Sequence, residues 1–232
     1  TGTRTYTAKI TVPSIDINVS VSKSVTIGSA STGSLNPDPI ELGESGTITV
    51  VSQSGSYTHK AEVGFEDYTA TLGTGFQTSV GFTPSLSSHA TRIPNKTTGY
   101  GTVFLTTYNG GTTVGTYNFR YDVKVPSSVV PTISNIELSD TTENPQGYIQ
   151  GLSILKVKTT AAGVYGSSIS SIETTVAGVK KTGSTVTFNL STAGTVPVTV
   201  TVTDSRGRVT TSSQNITVHG YASVSDLNIT GT

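Results

Sequence analysis

The side chains able to do chemistry are few in this sequence and scattered along it. Carboxylates crowd at Glu66-Asp67 and at Asp140 with Glu143. Such pairs can hold calcium together with backbone carbonyls, or can cleave a glycosidic bond if they face each other across a cleft. Neighbouring acids at strand ends are more simply solvated loop residues, and that is the expectation for both pairs. A zinc centre needs three or four converging ligands. Of the 3 histidines, His59 falls in phase with apolar neighbours and reads as a half-buried packing residue. His89 and His219 fall in loop segments without carboxylates beside them. With no cysteine in the chain, a disulfide framework and a thiolate metal site are both excluded. No G-x-S-x-G elbow, H-E-x-x-H pair or glycine-rich phosphate loop occurs. We therefore expect no metal, no cofactor and no catalytic residue.

Exposed aromatic rings in turns can stack on the face of a sugar ring. Phe65-Glu66-Asp67-Tyr68 and Tyr108-Asn109-Gly110-Gly111 offer such turns, which makes Tyr68, Tyr108, Glu66 and Asp67 candidate glycan contacts. The core is the expected place for most of the 10 tyrosines. Between two threonine- and valine-rich runs lies Asp204-Ser205-Arg206-Gly207. Asp204 can hydrogen-bond the backbone of its own turn and Gly207 can take a positive φ, so both are expected to be structural turn residues. Arg206 and Arg208 are then left to a carboxylate partner, or less simply to another molecule.

The elements that must position these residues are strands. Apolar residues alternate with polar ones at Ile15, Ile17, Val19, Val21; at Tyr57, His59, Ala61, Val63, Phe65; at Tyr117, Phe119, Tyr121, Val123, Val125; and at Val198, Val200, Val202. That period of two buries one face of a strand. Residues 169–179 fit a helix face as well, but β-branched content and Gly178 favour a strand ending in a turn. Prolines at Pro126 and Pro131, and in Asn36-Pro37-Asp38-Pro39, interrupt the ladders. The organisation predicted is a leading strand segment (1–34), a first β-sandwich module (35–126), a second (130–219) and a tail (220–232) opening a further module. Turn signals about every ten residues make the fold all-β, with tandem immunoglobulin-like sandwiches that lack the cysteine pair and core tryptophan of antibody domains. Lys156, Lys158, Lys180 and Lys181 are expected to guard sheet edges.

Formal net charge is +0 and 12% of residues are charged, so neither nucleic acid nor an anionic membrane is an expected partner. No apolar run approaches the roughly 18 residues of a spanning helix. A start at Thr1 and the lack of methionine suggest a piece of something longer.

Three runs point to a family when taken in order: "LTTYNGGTTVGTYNFRYDVKVPSSVVPTISNIELSD" (105–140), "YIQGLSILKVKTTAAGVYGSSISSIETTVAG" (148–178) and "VTVTDSRGRVTTSSQNITV" (200–218). The chain resembles the minor structural tail proteins of siphoviruses and prophages infecting Gram-positive bacteria, a tail-protein family of undefined function. The resemblance spans about residues 35–219. It implies a virion protein at the tail fibre, tail tip or baseplate, acting as spacer or adhesion module towards the bacterial cell surface. Its implied partners are other phage tail proteins and cell-wall polysaccharide, and a homotrimer is conceivable in the full-length protein. A carbohydrate-binding module or bacterial surface adhesin is the alternative, and a cell-wall hydrolase the less favoured one.

Overall fold

A chain that alternates branched apolar with hydroxyl-bearing residues can bury one face of each strand and wet the other. The computed structural model describes residues 2–12 and 17–221. Ile15, assigned above to a leading strand, and residues 222–232 of the tail lie outside them.

The chain opens with an antiparallel hairpin, β1 (Gly2–Val12) and β2 (Ile17–Ile27), which forms a sheet of its own. Then come β3 (Thr32–Asn36), β4 (Ile40–Glu41), β5 (Gly46–Val51), β6 (Tyr57–Phe65), β7 (Tyr68–Phe76), β8 (Ser79–Phe82), a short helix α1 (Leu86–Ala90), β9 (Thr98–Asn109) and β10 (Thr112–Lys124). The remainder is β11 (Thr132–Asp140), β12 (Tyr148–Ile149), β13 (Ile154–Ala162), β14 (Ile169–Val176), β15 (Val179–Thr182), β16 (Thr185–Asn189), β17 (Gly194–Asp204) and β18 (Val209–His219). These strands build two compact units: residues 1–92 with 98–125, and residues 93–97 with 126–232.

The first unit holds a three-stranded sheet, β3-β5-β8, and a five-stranded sheet, β4-β10-β9-β6-β7. The second holds β11-β13-β16 and β12-β18-β17-β14-β15, so each strand of the first pattern is replaced by the one eight places later. In both, the opening strand is divided between the sheets. β3 and β11 pair antiparallel in the small sheet, while β4 and β12 run parallel to β10 and β18 in the large one. Two immunoglobulin-like β-sandwiches result.

Local chemistry explains the crossings. In the first unit the crossing carries Pro37 and Pro39, which cannot donate to a ladder, and Asp38 Oδ1 accepts from the Asp122 amide of β10 at 2.8 Å. In the second, Asp140 Oδ1 accepts from the Thr142 amide (3.0 Å) and hydroxyl (2.7 Å), and Oδ2 from the Ser153 hydroxyl. Burial pushes the Asp140 carboxyl up, but these hydrogen bonds outweigh it and hold the group below its ordinary value.

Inward positions form the cores: Ile48, Val63, Val103, Leu105, Tyr121 and Val123 in the first unit, and Leu155, Val157, Val198, Val200 and Val202 in the second, all buried. Each valine or leucine so buried contributes about 1.5–3 kcal/mol. Residues 169–176 are strand, and Ala177 and Gly178 turn with φ of 47° and 80°. Three expectations change. Lys156 and Lys158 lie on β13, the central strand of its sheet, and only Lys180 and Lys181 occupy an edge, β15. His89 belongs to α1, capped by Ser85, and is buried against Phe65. Among the described tyrosines, Tyr57 and Tyr121 are buried, whereas Tyr6, Tyr100, Tyr117, Tyr165 and Tyr221 are exposed, because most sit on the wet face of a strand or in a turn.

The turn joining β17 to β18 is closed by the Gly207 amide donating to the Asp204 carbonyl and the Asp204 amide to the Arg208 carbonyl, both at 2.9 Å. Asp204 Oδ1 accepts from the amides of Arg206 and Arg208, each at 2.9 Å, and Gly207 has φ of 75°. The buried Arg206 guanidinium donates to the carbonyls of Val164 (2.8 Å) and Tyr165 (2.7 Å), a backbone use not foreseen from sequence. Asp204→Ala removes two charge-assisted bonds and is expected to cost the second unit about 2–4 kcal/mol, with Asp204→Asn costing less because its amide oxygen still accepts. Urea denaturation followed by circular dichroism measures both.

Candidate functional site

A serine and a histidine do meet in this fold. His59, inward on β6, places Nε2 2.9 Å from the Ser31 hydroxyl and Nδ1 3.2 Å from the Phe76 carbonyl. A carbonyl only accepts, so Nδ1 donates, and in the neutral ring Nε2 accepts a hydrogen bond from the serine hydroxyl. The Ser31 amide in turn donates to Thr107 Oγ1 at 3.0 Å. Geometrically this is half of a nucleophile-base pair. Both residues are 0% exposed and the ring is oriented by a backbone carbonyl instead of a carboxylate, so no substrate reaches the hydroxyl. The pair ties the start of β3 to β6 and β9. His59 is thus fully buried, not half-buried, because a strand position facing the core has no route to solvent once its polar atoms are satisfied inside.

The outer face of the five-stranded sheet in the first unit carries a different arrangement. Tyr100, Thr102 and Phe104 alternate outward along β9, opposite in phase to the buried Val103 and Leu105. Tyr100 and Phe104 stand four residues apart, hence about 13 Å along the strand. Thr102 lies between them, and its register partners are Gly64 on β6 and Arg120 on β10. Gly64 offers no side chain where its neighbours have one, so the face sinks into a groove of about 300 Å³ lined by Gly64, Glu66, Tyr100, Gly101, Thr102 and Phe104. A Cβ on Gly64 would lie 3.3 Å from the Phe104 ring, and one on Gly101 would collide with the Gly64 carbonyl and the Tyr121 ring.

Tyr100 is 62% exposed and Phe104 38%. Above Tyr100 lies the Arg120 guanidinium, 4.2 Å from the ring centroid, itself held by Nε donating to Asp122 Oδ1 at 2.9 Å. Glu66, at the β6–β7 turn with φ of 50°, brings a carboxylate to the groove. Two rings, a glycine floor, a hydroxyl, a carboxylate and a guanidinium suit stacking on apolar faces and hydrogen bonding to hydroxyl groups.

Of the four residues expected to touch glycan, Glu66 alone lines this groove. Asp67 pairs with Arg92, whose guanidinium also sits 5.4 Å over the Tyr68 ring. Tyr68 packs edge-on against His89, with centroids 5.3 Å apart. Tyr108 lies eight residues beyond Tyr100 on β9, at the other end of the sheet. The rings missed from sequence, Tyr100 and Phe104, sit in "GYGTVF" (99–104). Its signal was two glycines inside a strand, which mark a close backbone approach.

Behind Tyr68 the interior is polar yet incompletely paired. His89 donates from Nδ1 to the Ser85 carbonyl at 3.0 Å, while its Nε2 and the Tyr121 hydroxyl are buried without a hydrogen-bond partner. Burial pushes the Tyr121 phenol up. Burial also lowers the His89 pKa, opposed by the Ser85 carbonyl and aided by Arg92. The unfolded chain therefore binds a proton at His89 more readily than the folded one, so stability falls as pH drops through the ordinary histidine value of about 6.5. Denaturation of the chain at pH 7 and pH 5 is expected to show the first unit weakening on acidification. In His89→Leu the dependence should shrink, by at most one proton's worth of slope.

No curated protein matches the sequence. Among solved structures, the amphioxus IgVJ-C2 molecule is 14% identical with a TM-score of 0.40, covering 76% of this chain and 98% of that one. A two-domain fibronectin type III segment from chicken tenascin is 13% identical with a TM-score of 0.35, covering 82% of this chain and 98% of that one. A family model described as a siphovirus protein of unknown function matches residues 10–230, in agreement with the resemblance read from the ordered motifs, and the chain belongs to that siphovirus family.

Proposed function

We propose that the chain is a non-catalytic structural component of a siphovirus tail, in its fibre, tip or baseplate, and works as an adhesion module towards the bacterial cell surface. The first sandwich meets a cell-wall polysaccharide through the Tyr100–Phe104 groove, and the second acts as spacer. The observation that carries this reading is the pair of exposed rings flanking a glycine-floored groove on the outer sheet face, with Glu66 and Arg120 beside them. A depression of about 220 Å³ in the second unit is lined by Ile133, Ser134, Asn135, Ile136, Ser212 and Gln214, without an aromatic residue, which suits a spacer. A hydroxyl-rich surface and a net charge of +0 favour contact with neutral sugar over nucleic acid or lipid.

Titration of the 232-residue chain with wall polysaccharide from candidate Gram-positive hosts tests it. Tyr100→Ala and Phe104→Ala are each expected to weaken binding about tenfold, near 1.4 kcal/mol, while Tyr221→Ala, an exposed aromatic outside the groove, leaves it unchanged. A folded chain that binds no wall polysaccharide would leave both sandwiches as spacers.

A further inference from the structure

The chain balances at +0 as a whole, but the balance is struck between its parts. The first sandwich, residues 28–92 with 98–125, holds seven acidic residues against four basic ones, a net charge of −3. That imbalance reaches the Tyr100–Phe104 groove. On the strands flanking β9 each cation has an acid beside it. Arg120 gives both Nε and Nη2 to Asp122, Lys60 is 2.8 Å from Glu62, and Lys124 stands next to Glu41 in the register of β10 with β4. Glu66 differs. It lines the groove, it is exposed, and its carboxylate makes no ion pair among the described residues. With Gly64 opposite Thr102 in the antiparallel register, β6 runs on towards Tyr100, which puts Glu66 at the Tyr100 end of the groove.

The aromatic walls add to the same sign. A ring presents a negative face to a cation, and Tyr100 already holds one, the Arg120 guanidinium 4.2 Å from its centroid. Phe104 is exposed and has no cation over it among the described residues. Resting on the adhesion reading above, we infer that the sugar this groove takes carries a free amine: an amino sugar in its unacetylated, ammonium form. Its pyranose ring lies against an aromatic wall over the glycine floor, and its ammonium donates to the Glu66 carboxylate. Charge-assisted hydrogen bonds are the stronger kind, and the rings favour the same ammonium. Acetylation turns the amine into a neutral amide and removes both terms. A polymer bearing phosphate or carboxylate groups would instead approach a sandwich of its own sign.

Calorimetric titration of the 232-residue chain with two oligosaccharides of equal length, one of glucosamine and one of N-acetylglucosamine, tests the inference. The glucosamine oligomer is expected to bind about tenfold tighter, with the preference shrinking as salt is raised. Glu66→Gln should bring the two oligomers to near parity. Glu44→Gln changes the charge of the sandwich by the same amount at an exposed residue that does not line the groove, and should keep the preference. Circular dichroism checks that both variants remain folded. Equal binding of the two oligomers by the wild type overturns the inference, as does a preference that survives in Glu66→Gln or is lost equally in Glu44→Gln. Wall polysaccharide binding alongside any of these results leaves the adhesion reading standing without the amine. A folded chain that binds neither the oligomers nor wall polysaccharide overturns both.

Discussion

Closing two sheets over a core with neither a disulfide nor a tryptophan is the constraint on which both sandwiches depend. In the second unit the inward residues of β17 are Val198, Val200 and Val202, set against Leu155 and Val157 of β13. Valine is already restricted at χ1, so ordering it loses little rotamer freedom. The alternate positions are threonines, some paired across strands, as with Thr199 and Ser213 at 3.1 Å. A core of small branched residues thus takes the place of a covalent staple, provided the alternation is unbroken.

The first unit fills the same space differently, and its surface records the difference. Tyr121 is wholly buried, edge-on to Phe82 at 5.2 Å and 84°. A phenol ring of that size needs room beneath β9, and Gly101 supplies it, since any Cβ there would strike the Tyr121 ring. The same glycine lets the β6 backbone at Gly64 come close. With Gly64 itself bare on the outer side, the sheet is thin at that point and its exterior sinks between Tyr100 and Phe104. The groove and the core are two sides of one packing solution, so altering the interior ring reshapes the surface.

Much of the architecture was legible because it is written in a period of two. The runs through Val63 and Val202 alternate so regularly that strand type and buried face follow from sequence. Motif order was enough to reach the family. The surface was harder to read. Tyr68 sits in a polar turn and looked available, but a single neighbour distant in sequence, Arg92, takes up both it and Asp67. Tyr100 looked like one more strand tyrosine, because phase relative to the core is only fixed once Val103 and Leu105 are known to face in. Arg206 was assigned a carboxylate because side-chain pairs are what a sequence displays. The loop carbonyls of Val164 and Tyr165 that it grips are a property of the fold. Edge strands depend likewise on pairing order, so Lys156 and Lys158 could not be placed at an edge or a centre from β-propensity alone.

The β1–β2 hairpin shows where that alternation stops being self-sufficient. In β5 or β13 every second residue turns towards an opposing sheet of the same chain, and the apolar face is covered as the strand forms. Tyr6, Ile10, Val19 and Val21 carry the same pattern with no opposing sheet among the described residues. The polar face, with its crossing threonine and serine hydroxyls, is finished as an exterior. The same period of two thus closes a core only where the chain supplies a second sheet, and in the hairpin it leaves four large apolar side chains exposed.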